Sequence, residues 1–312
     1  SGGSEAANAP ILTLLDLPDK DRCELVTSEI EHPCVDAAAK FVGKKGVNVK
    51  YAGAGPDGKV RPEEFEELVT AKTALVSVIL ANNETGTIQD IRKISKIAKE
   101  RGALVHADAA QAVGRIPVDV HDLGVDYLSF SAHKMYGPKG IGALYVRTGA
   151  VLRPMILGGS QESSRRAGTE NVPGIAGFAK AVQIAGREMS SDMKRIAALR
   201  DMMMRGITKD ISGAVFNTNP GDSLPNTLNV CFRQADRFSV SLYLDKAGIS
   251  VSTASACASR SINPSRVLLA MGVPEEIAKC CIRISLGRDN TEEDVKNFLA
   301  VLPGIVERVR TE

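Results

Sequence analysis

A hydroxyl, an imidazole and an amine lie within four consecutive residues, as Ser131, His133 and Lys134. They follow the apolar run 125–130, and a Gly-Pro-Lys-Gly turn and a second apolar run, 141–146, come after them. We therefore expect the lysine in a turn between two buried strands. A poorly hydrated ammonium loses its proton more easily, and the neutral amine can form a Schiff base with a carbonyl carbon. The neighbouring hydroxyl and imidazole suit a phosphate group. The alternative is a surface lysine in a hairpin.

Polar side chains also follow two other predicted strands. Asp108 comes directly after the run 103–107, Gln111 is three residues further on, and Asn83 follows the run 74–81. A carboxylate at such a strand end can keep a pyridinium nitrogen protonated, which makes a pyridine cofactor an electron sink. It can equally cap a helix. The asparagine can donate to a ring hydroxyl or a substrate carboxylate, or only make a turn.

Two further segments are candidates for contacts to a planar, phosphorylated group. His32 precedes Pro33 at a predicted helix start, where an imidazole can stack on a ring or move protons, although a lone histidine is more often structural. The first residues, 1–5, read Ser-Gly-Gly-Ser-Glu and open a predicted helix. Backbone N–H groups at a helix start suit a phosphate. The same Gly-Gly-Ser could also be left over from cloning.

Six cysteines are scattered along the chain without a Cys-x-x-Cys pair. For this length we expect free thiols in a reducing compartment, most of them small core residues, as for Cys281 in the run 280–286. Cys257 differs, because the segment 251–261 is rich in small and polar residues and predicts a mobile loop. A cysteine there can become a reactive thiolate, which Arg260 would favour. The four histidines are not at metal-ligand spacing from any cysteine pair, so we expect no metal.

Composition excludes several classes of protein. The chain has 312 residues, 44% of them hydrophobic, and a net charge of +2. This length allows one large core or two domains, and the charge points neither to nucleic acid nor to an anionic membrane. No apolar run approaches the length of a membrane span, and no secretory signal is visible. We expect a cytoplasmic protein, or a mitochondrial one in a eukaryote.

The order of predicted elements indicates an α/β fold. Strands and helices alternate over the first two-thirds, which favours a mostly parallel sheet between helices, with ligands beyond the carboxyl ends of the strands. The pattern changes near residue 187, where a long polar helix begins. We therefore expect a large domain at 1–187 and a smaller α+β domain at 188–312. The predicted strands are 28–31, 74–81, 103–107, 126–131, 141–146, 227–232 and 281–286. The predicted helices are 89–101, 188–209, 236–247, 264–271 and 291–309. Gly102 is expected to end the first of these helices, and Thr291 to be the N-cap of the last.

Nine stretches, in the same order, resemble the cysteine desulfurase family, pyridoxal-phosphate enzymes of fold type I in the class V aminotransferase group. The resemblance runs over nearly the whole chain. Members of that family have several dozen residues before the glycine-rich segment, so we expect this chain to be a fragment that lacks the N-terminal part of the large domain. The matching stretches are 1–5, 31–32, 81–86, 106–111, 129–140, 158–162, 166–171, 255–257 and 282–287.

The resemblance assigns a role to each residue around the cofactor ring. It implies that Lys134 holds pyridoxal phosphate through a Schiff base and that Asp108 pairs with the pyridine nitrogen. Gln111 and Asn83 are expected to face the ring oxygen, and His32 is expected to stack on the ring.

The resemblance also implies which residues contact the phosphate, the partner subunit's site and the substrate. Thr169 is expected to reach the phosphate of the partner's site, which implies a homodimer. Arg283 is expected to bind the substrate carboxylate together with Asn83, since an arginine fork suits a carboxylate. The residues expected to surround the phosphate are Gly3, Ser4, Ser131 and His133.

The implied reaction removes sulfur from L-cysteine, giving L-alanine and a persulfide on Cys257. The α-proton would pass to Lys134 or through His32, and an acceptor or scaffold protein would take the sulfur for iron–sulfur cluster assembly or tRNA thiolation. Selenocysteine lyase is the nearest alternative, since it shares the fold and most of these motifs. A class V aminotransferase would not need Cys257, and a non-catalytic fragment or scaffold subunit would keep only the fold. No direct nucleic-acid or membrane partner is expected.

Overall fold

The computed structural model describes residues 1–17, 21–253 and 263–312. They form two compact units. Cys257 and Arg260 lie outside the described residues. The first unit comprises Ser1–Gly53, Val60–Ala81 and Gln89–Met189, and the second comprises Ala54–Lys59, Asn82–Ile88 and Ser190–Glu312.

The first unit contains a six-stranded sheet and most of the helices. Its strands are β1 Glu24–Ser28, β2 Asn48–Ala52, β3 Thr73–Ile79, β4 Leu104–Asp108, β5 Tyr127–Ser131 and β6 Gly142–Val146. Its helices are α1 Gly3–Leu12, α2 Pro33–Gly43, α3 Pro62–Leu68, α4 Ile91–Glu100, α5 Val120–Leu123 and α6 Gln161–Ser164, and α7 Val172–Asp210 begins in it.

The sheet of the first unit is parallel except at one edge. The strand order is β2-β1-β3-β4-β5-β6, and only β6 runs antiparallel, against β5. All seven residues of β3 are buried, as expected for a strand covered on both faces. The carboxyl ends of the five parallel strands lie along one edge of the sheet. Asp108 and Ser131 are the last residues of β4 and β5, so this edge carries two of the predicted site residues.

Residues at both ends of helix α4 explain where it begins and ends. The Asp90 side chain accepts the N–H of Lys93 at 3.2 Å and caps the helix start. Ile91, Ile94 and other apolar side chains at helical spacing form its buried face. Gly102, at φ 73°, follows its last turn, as the sequence predicts.

The second unit has an antiparallel sheet in the order β7-β8-β9. The predicted N-cap of its last helix is confirmed: Thr291 and Asp294 form a reciprocal capping box. The strands are β7 Ala214–Phe216, β8 Thr227–Phe232 and β9 Cys281–Ser285, and the helices are α8 Arg237–Lys246, α9 Arg266–Ala270, α10 Glu275–Ala278 and α11 Glu292–Thr311. Among the described residues, no helix is long and apolar enough to cross a membrane.

Two expectations about local structure are wrong. The residues before His32 are not all strand: β1 ends at Ser28, and a turn leads into α2. The long polar helix starts at Val172 and not at 188, because the small and apolar residues of its first turns also form helix.

The expectation of free thiols is wrong for two cysteines. Cys231 and Cys281 are directly opposite in the antiparallel pair β8–β9 and are joined in a disulfide. Pairing of the two strands brings the two side chains together. Their separation of 50 residues gives no sign of this in the sequence. Cys23, Cys34 and Cys280 are free.

Candidate active site

Lys134 lies, half-buried, in a short 3₁₀ turn between β5 and β6. The turn spans Ala132–Met135 and closes at Tyr136, which has φ 63°, and the N–H of Gly137 donates to the Ala132 carbonyl at 2.9 Å. The predicted position of the lysine between two strands is therefore confirmed. Its charge lowers the pKa of Asp108, so the amine and this carboxylate lie near one another.

Asp108 is a buried carboxylate with 4% of its surface exposed. Burial raises its pKa to about 6. Three neighbours act in the opposite direction and lower this pKa: the N–H of Ala110, at 3.0 Å, the Ser129 hydroxyl and the charge of Lys134. The residues after it form turns and not a helix, so the alternative role as a helix cap is wrong. A buried carboxylate whose pKa is raised gains from a further cation or N–H donor.

A chain of hydrogen bonds between buried polar side chains ends at the Asp108 carboxylate. The Ser129 hydroxyl donates to the carboxylate and lies 3.0 Å from Nε2 of His106, whose Nδ1 is 2.8 Å from the Ser77 hydroxyl. Burial lowers the pKa of His106 to about 3, so this ring is neutral. Since Ser129 gives its proton to Asp108, Nε2 of His106 donates to Ser129 and Ser77 donates to Nδ1. This relay could not be predicted from the sequence, because serines and a histidine within strands give no separate signal.

His32 caps helix α2 with its own side chain. Its Nδ1 accepts the N–H of Cys34 at 3.2 Å and lies 2.9 Å from the Cys34 sulfur. The neutral ring therefore carries its proton on Nε2. Glu31 holds the preceding turn, because its buried carboxylate accepts the hydroxyl of Ser28 and the N–H of Ile79 at 3.0 Å. The imidazole is thus fixed at the end of β1.

Cys34 lies beside two residues of the candidate site, and no motif in the sequence indicated it. Burial raises the pKa of its thiol to about 12, and the charges of Asp108 and Glu31 add to this, while a hydrogen bond with the exposed Ser4 opposes it. The thiol is therefore neutral. Imidazole, thiol and carboxylate atoms of His32, Cys34 and Asp108 lie within 4.8 Å of one another, and these are ligand types that transition metals accept. The absence of a metal stays a prediction.

The start of α1 meets the turn after β5. A Cβ atom on Gly3 would lie 3.3 Å from the Cβ of Ser131, and one on Gly142 would lie 2.5 Å from the backbone of Gly2, so the approach requires small residues. Within the part of the chain that the structure describes, no side chain caps the first N–H groups of α1. The Ser131 hydroxyl lies 2.7 Å from Nδ1 of His133. Together these groups offer backbone and side-chain donors in one place.

Gln111 is hydrogen-bonded to Arg115, a residue that no sequence motif indicated. Nη1 of Arg115 donates to its side-chain oxygen at 3.1 Å, and Nη2 donates to the backbone carbonyl of Lys134 at 3.1 Å. Arg115 therefore links the loop after β4 to the lysine turn. An arginine in a turn carries no sequence signal for such a role.

The remaining predicted residues lie elsewhere. Asn83 and Arg283 belong to the second unit, where Nη1 of the arginine donates to the Asn83 carbonyl at 2.7 Å. Among the described residues, the side-chain oxygen of Asn83 is buried without a hydrogen-bond partner. Thr169 is exposed on the segment between α6 and α7. Arg166, three residues earlier, pairs with Glu5 of α1 at 3.0 Å.

The first unit contains an amine near a buried carboxylate, and a helix start beside the Ser131 hydroxyl. Comparison with known proteins gives the family. Residues 1–298 match the family model described as aminotransferase class-V. The chain belongs to the aminotransferase class-V family. A relative from Dictyoglomus turgidum, named cysteine desulfurase IscS, is 44% identical over 311 residues, which cover 100% of this chain and 79% of the relative.

Solved structures point to the same group. A structure named NifS-like protein matches with a TM-score of 0.92 and 41% identity, over 99% of this chain and 81% of that one. A structure described as SspA in complex with cysteine matches with a TM-score of 0.77 and 34% identity, over 93% and 81% of the two chains. Within its family the chain is thus placed among the cysteine desulfurases, which depend on pyridoxal phosphate in general. The predicted family, fold class and enzyme class are confirmed.

Replacing Asp108 by Asn is expected to stabilise the cofactor-free protein at pH 8 and to weaken binding of pyridoxal phosphate. The pKa of this carboxyl rises from 3.8 to about 6 on folding, so its buried charge lowers stability progressively as pH rises from about 4 to above 6. The gain at pH 8 is expected to be ~1–3 kcal/mol. Urea unfolding at pH 4 and pH 8 measures it. Equal stability of the two proteins at pH 8 would contradict the assignment of an uncompensated charge.

Proposed function

We propose that this chain removes sulfur from L-cysteine, giving L-alanine and a persulfide on Cys257, with pyridoxal phosphate bound in the first unit. The observation that carries the proposal is the buried Asp108, with a raised pKa, near the half-buried Lys134. The family membership and the relatives named cysteine desulfurase support the same reaction.

The residues present fit this cofactor. A pyridine nitrogen that carries a proton would compensate the Asp108 charge, and a phosphate would accept from the uncapped N–H groups of α1. Ser131 and His133 flank that helix start, and Ser4 lies in its first turn. When bound, the cofactor supplies an electron sink for the bond that breaks at the substrate α-carbon.

The chain's own residues then handle binding and protons. The amine of Lys134 takes the α-proton in its neutral form, and Arg115 and Gln111 hold the backbone of its turn. His32 can release or take a proton only at Nε2, since Nδ1 is engaged by the N–H of Cys34. In the second unit, Arg283 binds the substrate carboxylate, and the amide of Asn83 supplies a further polar contact.

Cys257 completes the reaction, and its role in the proposal comes from the sequence. Its thiolate attacks the sulfur of the substrate. A sulfur–sulfur bond forms, the carbon–sulfur bond breaks, and the α-carbon side of the substrate leaves as L-alanine after protonation. The persulfide then passes its outer sulfur to an acceptor protein. Selenocysteine lyase remains the second candidate, since the same groups would act on a selenium atom.

The proposal includes a homodimer, in which Thr169 reaches the partner's site. Large apolar side chains are exposed between residues 151 and 182, including Leu157, which is 81% exposed. Val172, Ile175 and Val182 lie at helical spacing on α7 and are all exposed. An apolar surface of this kind is typical of a protein interface. A cytoplasmic location stays a prediction.

Mutation of this surface is expected to produce monomers. Val172→Glu combined with Ile175→Glu should halve the mass measured by sedimentation equilibrium, because charges at the centre of an apolar interface oppose association. The same two charges at the exposed Phe238 and Leu242 of α8 serve as the control. A wild-type protein that is already monomeric would contradict the dimer.

The reaction itself is tested by incubating the cofactor-loaded protein with L-cysteine and a reductant. Alanine and sulfide should appear in equal amounts. Sulfide-free conversion of cysteine to its keto acid would identify an aminotransferase, and absence of any product would identify an inert scaffold. Selenocysteine turnover far above cysteine turnover would favour the lyase.

Lys134→Ala is expected to abolish the visible absorbance of the purified, cofactor-loaded protein, because the amine that binds the carbonyl carbon is lost. Mass spectrometry after borohydride treatment should find the cofactor on the Lys134 peptide of the wild type. Lys139→Ala, five residues away in an exposed turn, is the matched control. A reduced adduct on any other lysine would contradict the assignment.

Cys257→Ser is expected to keep the cofactor spectrum and to lower sulfide formation at least ~100-fold, because a hydroxyl cannot form a persulfide. Cys280→Ser, at a free cysteine of the second unit, should keep full activity. Full sulfide release by the Cys257 variant would exclude the persulfide step.

A further inference from the structure

Glu84 is a buried carboxylate in the second unit that the proposed mechanism does not use. It is 5% exposed, and burial raises its pKa. Four neighbouring groups lower this pKa and therefore lie around the carboxylate: the hydroxyl of Ser265 and the positive charges of Arg283, Arg266 and Arg237. A buried charge without such neighbours would be strongly destabilising.

The same cluster fixes Arg283, the residue expected to bind the substrate carboxylate. Its Nη1 donates to the carbonyl of Asn83, the residue directly before Glu84, at 2.7 Å. Its backbone pairs with Ser252 in both directions, with N···O distances of 2.7 and 3.0 Å. The guanidinium is therefore held by the carbonyl of the residue next to Glu84, and the negative charge of Glu84 attracts it.

Glu84 is also bonded to the chain that follows residues 254–262. Ser265 donates to Oε2 of Glu84 at 2.5 Å and, as the N-cap of α9, accepts the N–H of Leu268 at 3.2 Å. Nη2 of Arg237 donates to the carbonyl of Asn263 at 2.8 Å. The cluster thus bonds to residues on both sequence flanks of the segment 254–262, through Ser252 on one side and through 263–265 on the other.

We propose that Glu84 is a positioning residue: it sets the orientation of Arg283 for a substrate carboxylate and joins that arginine to the chain after residues 254–262. The inference rests on the proposed function, since it assumes that Arg283 binds the carboxylate of an amino-acid substrate. It adds a residue to that site that does not touch the substrate. The uncharged isostere Gln keeps the size of the side chain and removes the charge that orients the guanidinium.

The test compares L-cysteine with its methyl ester, which lacks the carboxylate. In the wild type kcat/KM is expected to be much higher for L-cysteine. Glu84→Gln should lower this ratio about tenfold, mainly through a higher KM for L-cysteine, as expected for the loss of one charged partner. Glu84→Asp should restore part of it. General damage to the fold would lower both values together and leave the ratio unchanged, so an unchanged ratio in Glu84→Gln overturns the proposal.

Two controls separate this inference from the proposed function. Arg283→Ala should remove the preference for L-cysteine over its methyl ester. If the preference remains, Arg283 does not bind the substrate carboxylate, and the proposed function is wrong on this point whatever Glu84→Gln shows. Hydrogen exchange needs no turnover: Glu84→Gln should speed exchange of the Ser252, Arg283 and Leu268 amides at least ~5-fold, and unchanged rates would overturn the proposed connection. Glu276→Gln, the same change at an exposed position of α10, should alter neither measurement. If Glu84→Gln does not fold, Ser265→Ala tests the same connection.

Discussion

The burial of one carboxylate at the end of β4 is the constraint on which the first unit depends. Asp108 lies where water cannot solvate it, and the groups around it are arranged accordingly: donors from Ser129 and Ala110, and the nearby charge of Lys134. The neutral His106 donates to the Ser129 hydroxyl and so directs the proton of that hydroxyl to Asp108. These contacts do not fully compensate the buried charge, because the pKa of Asp108 stays above its ordinary value. The charge therefore lowers stability, and the proposed function gives it a use, since a positively charged ring nitrogen would compensate it.

The second unit shows a different use of buried charge. The segment Asn82–Ile88 interrupts the first unit in sequence and belongs to the second in space. This puts Asn83 and Glu84, which follow the strand β3 by a few residues, in one cluster with Arg283, some two hundred residues later. The arginine proposed to bind the substrate is thus held by a group far from it in sequence, so its placement depends on the fold of the second unit.

Much of the site could be predicted, and the exceptions have physical causes. Lys134 and Asp108 were identifiable because polar residues directly after apolar runs lie at the ends of strands. Hydrogen bonds that depend on exact side-chain placement gave no signal, as for Arg115 and for the relay through His106. Cys34 gave no signal because it belongs to no Cys-x-x-Cys pair. The Cys231–Cys281 bond gave none because strand register cannot be read from spacing.

That disulfide affects how the enzyme's chemistry can be observed. Cys281 precedes Arg283 by two residues on β9, so the bond and the arginine lie on the same face of the sheet, and their partners on β8 are also two residues apart. A thiol reagent that frees sulfide from a persulfide also reduces a disulfide that it can reach, and both cysteines of this one are buried. If the reagent opens the bond, measurements with and without it concern two covalent forms of the protein, which differ next to the residue that is proposed to select the substrate.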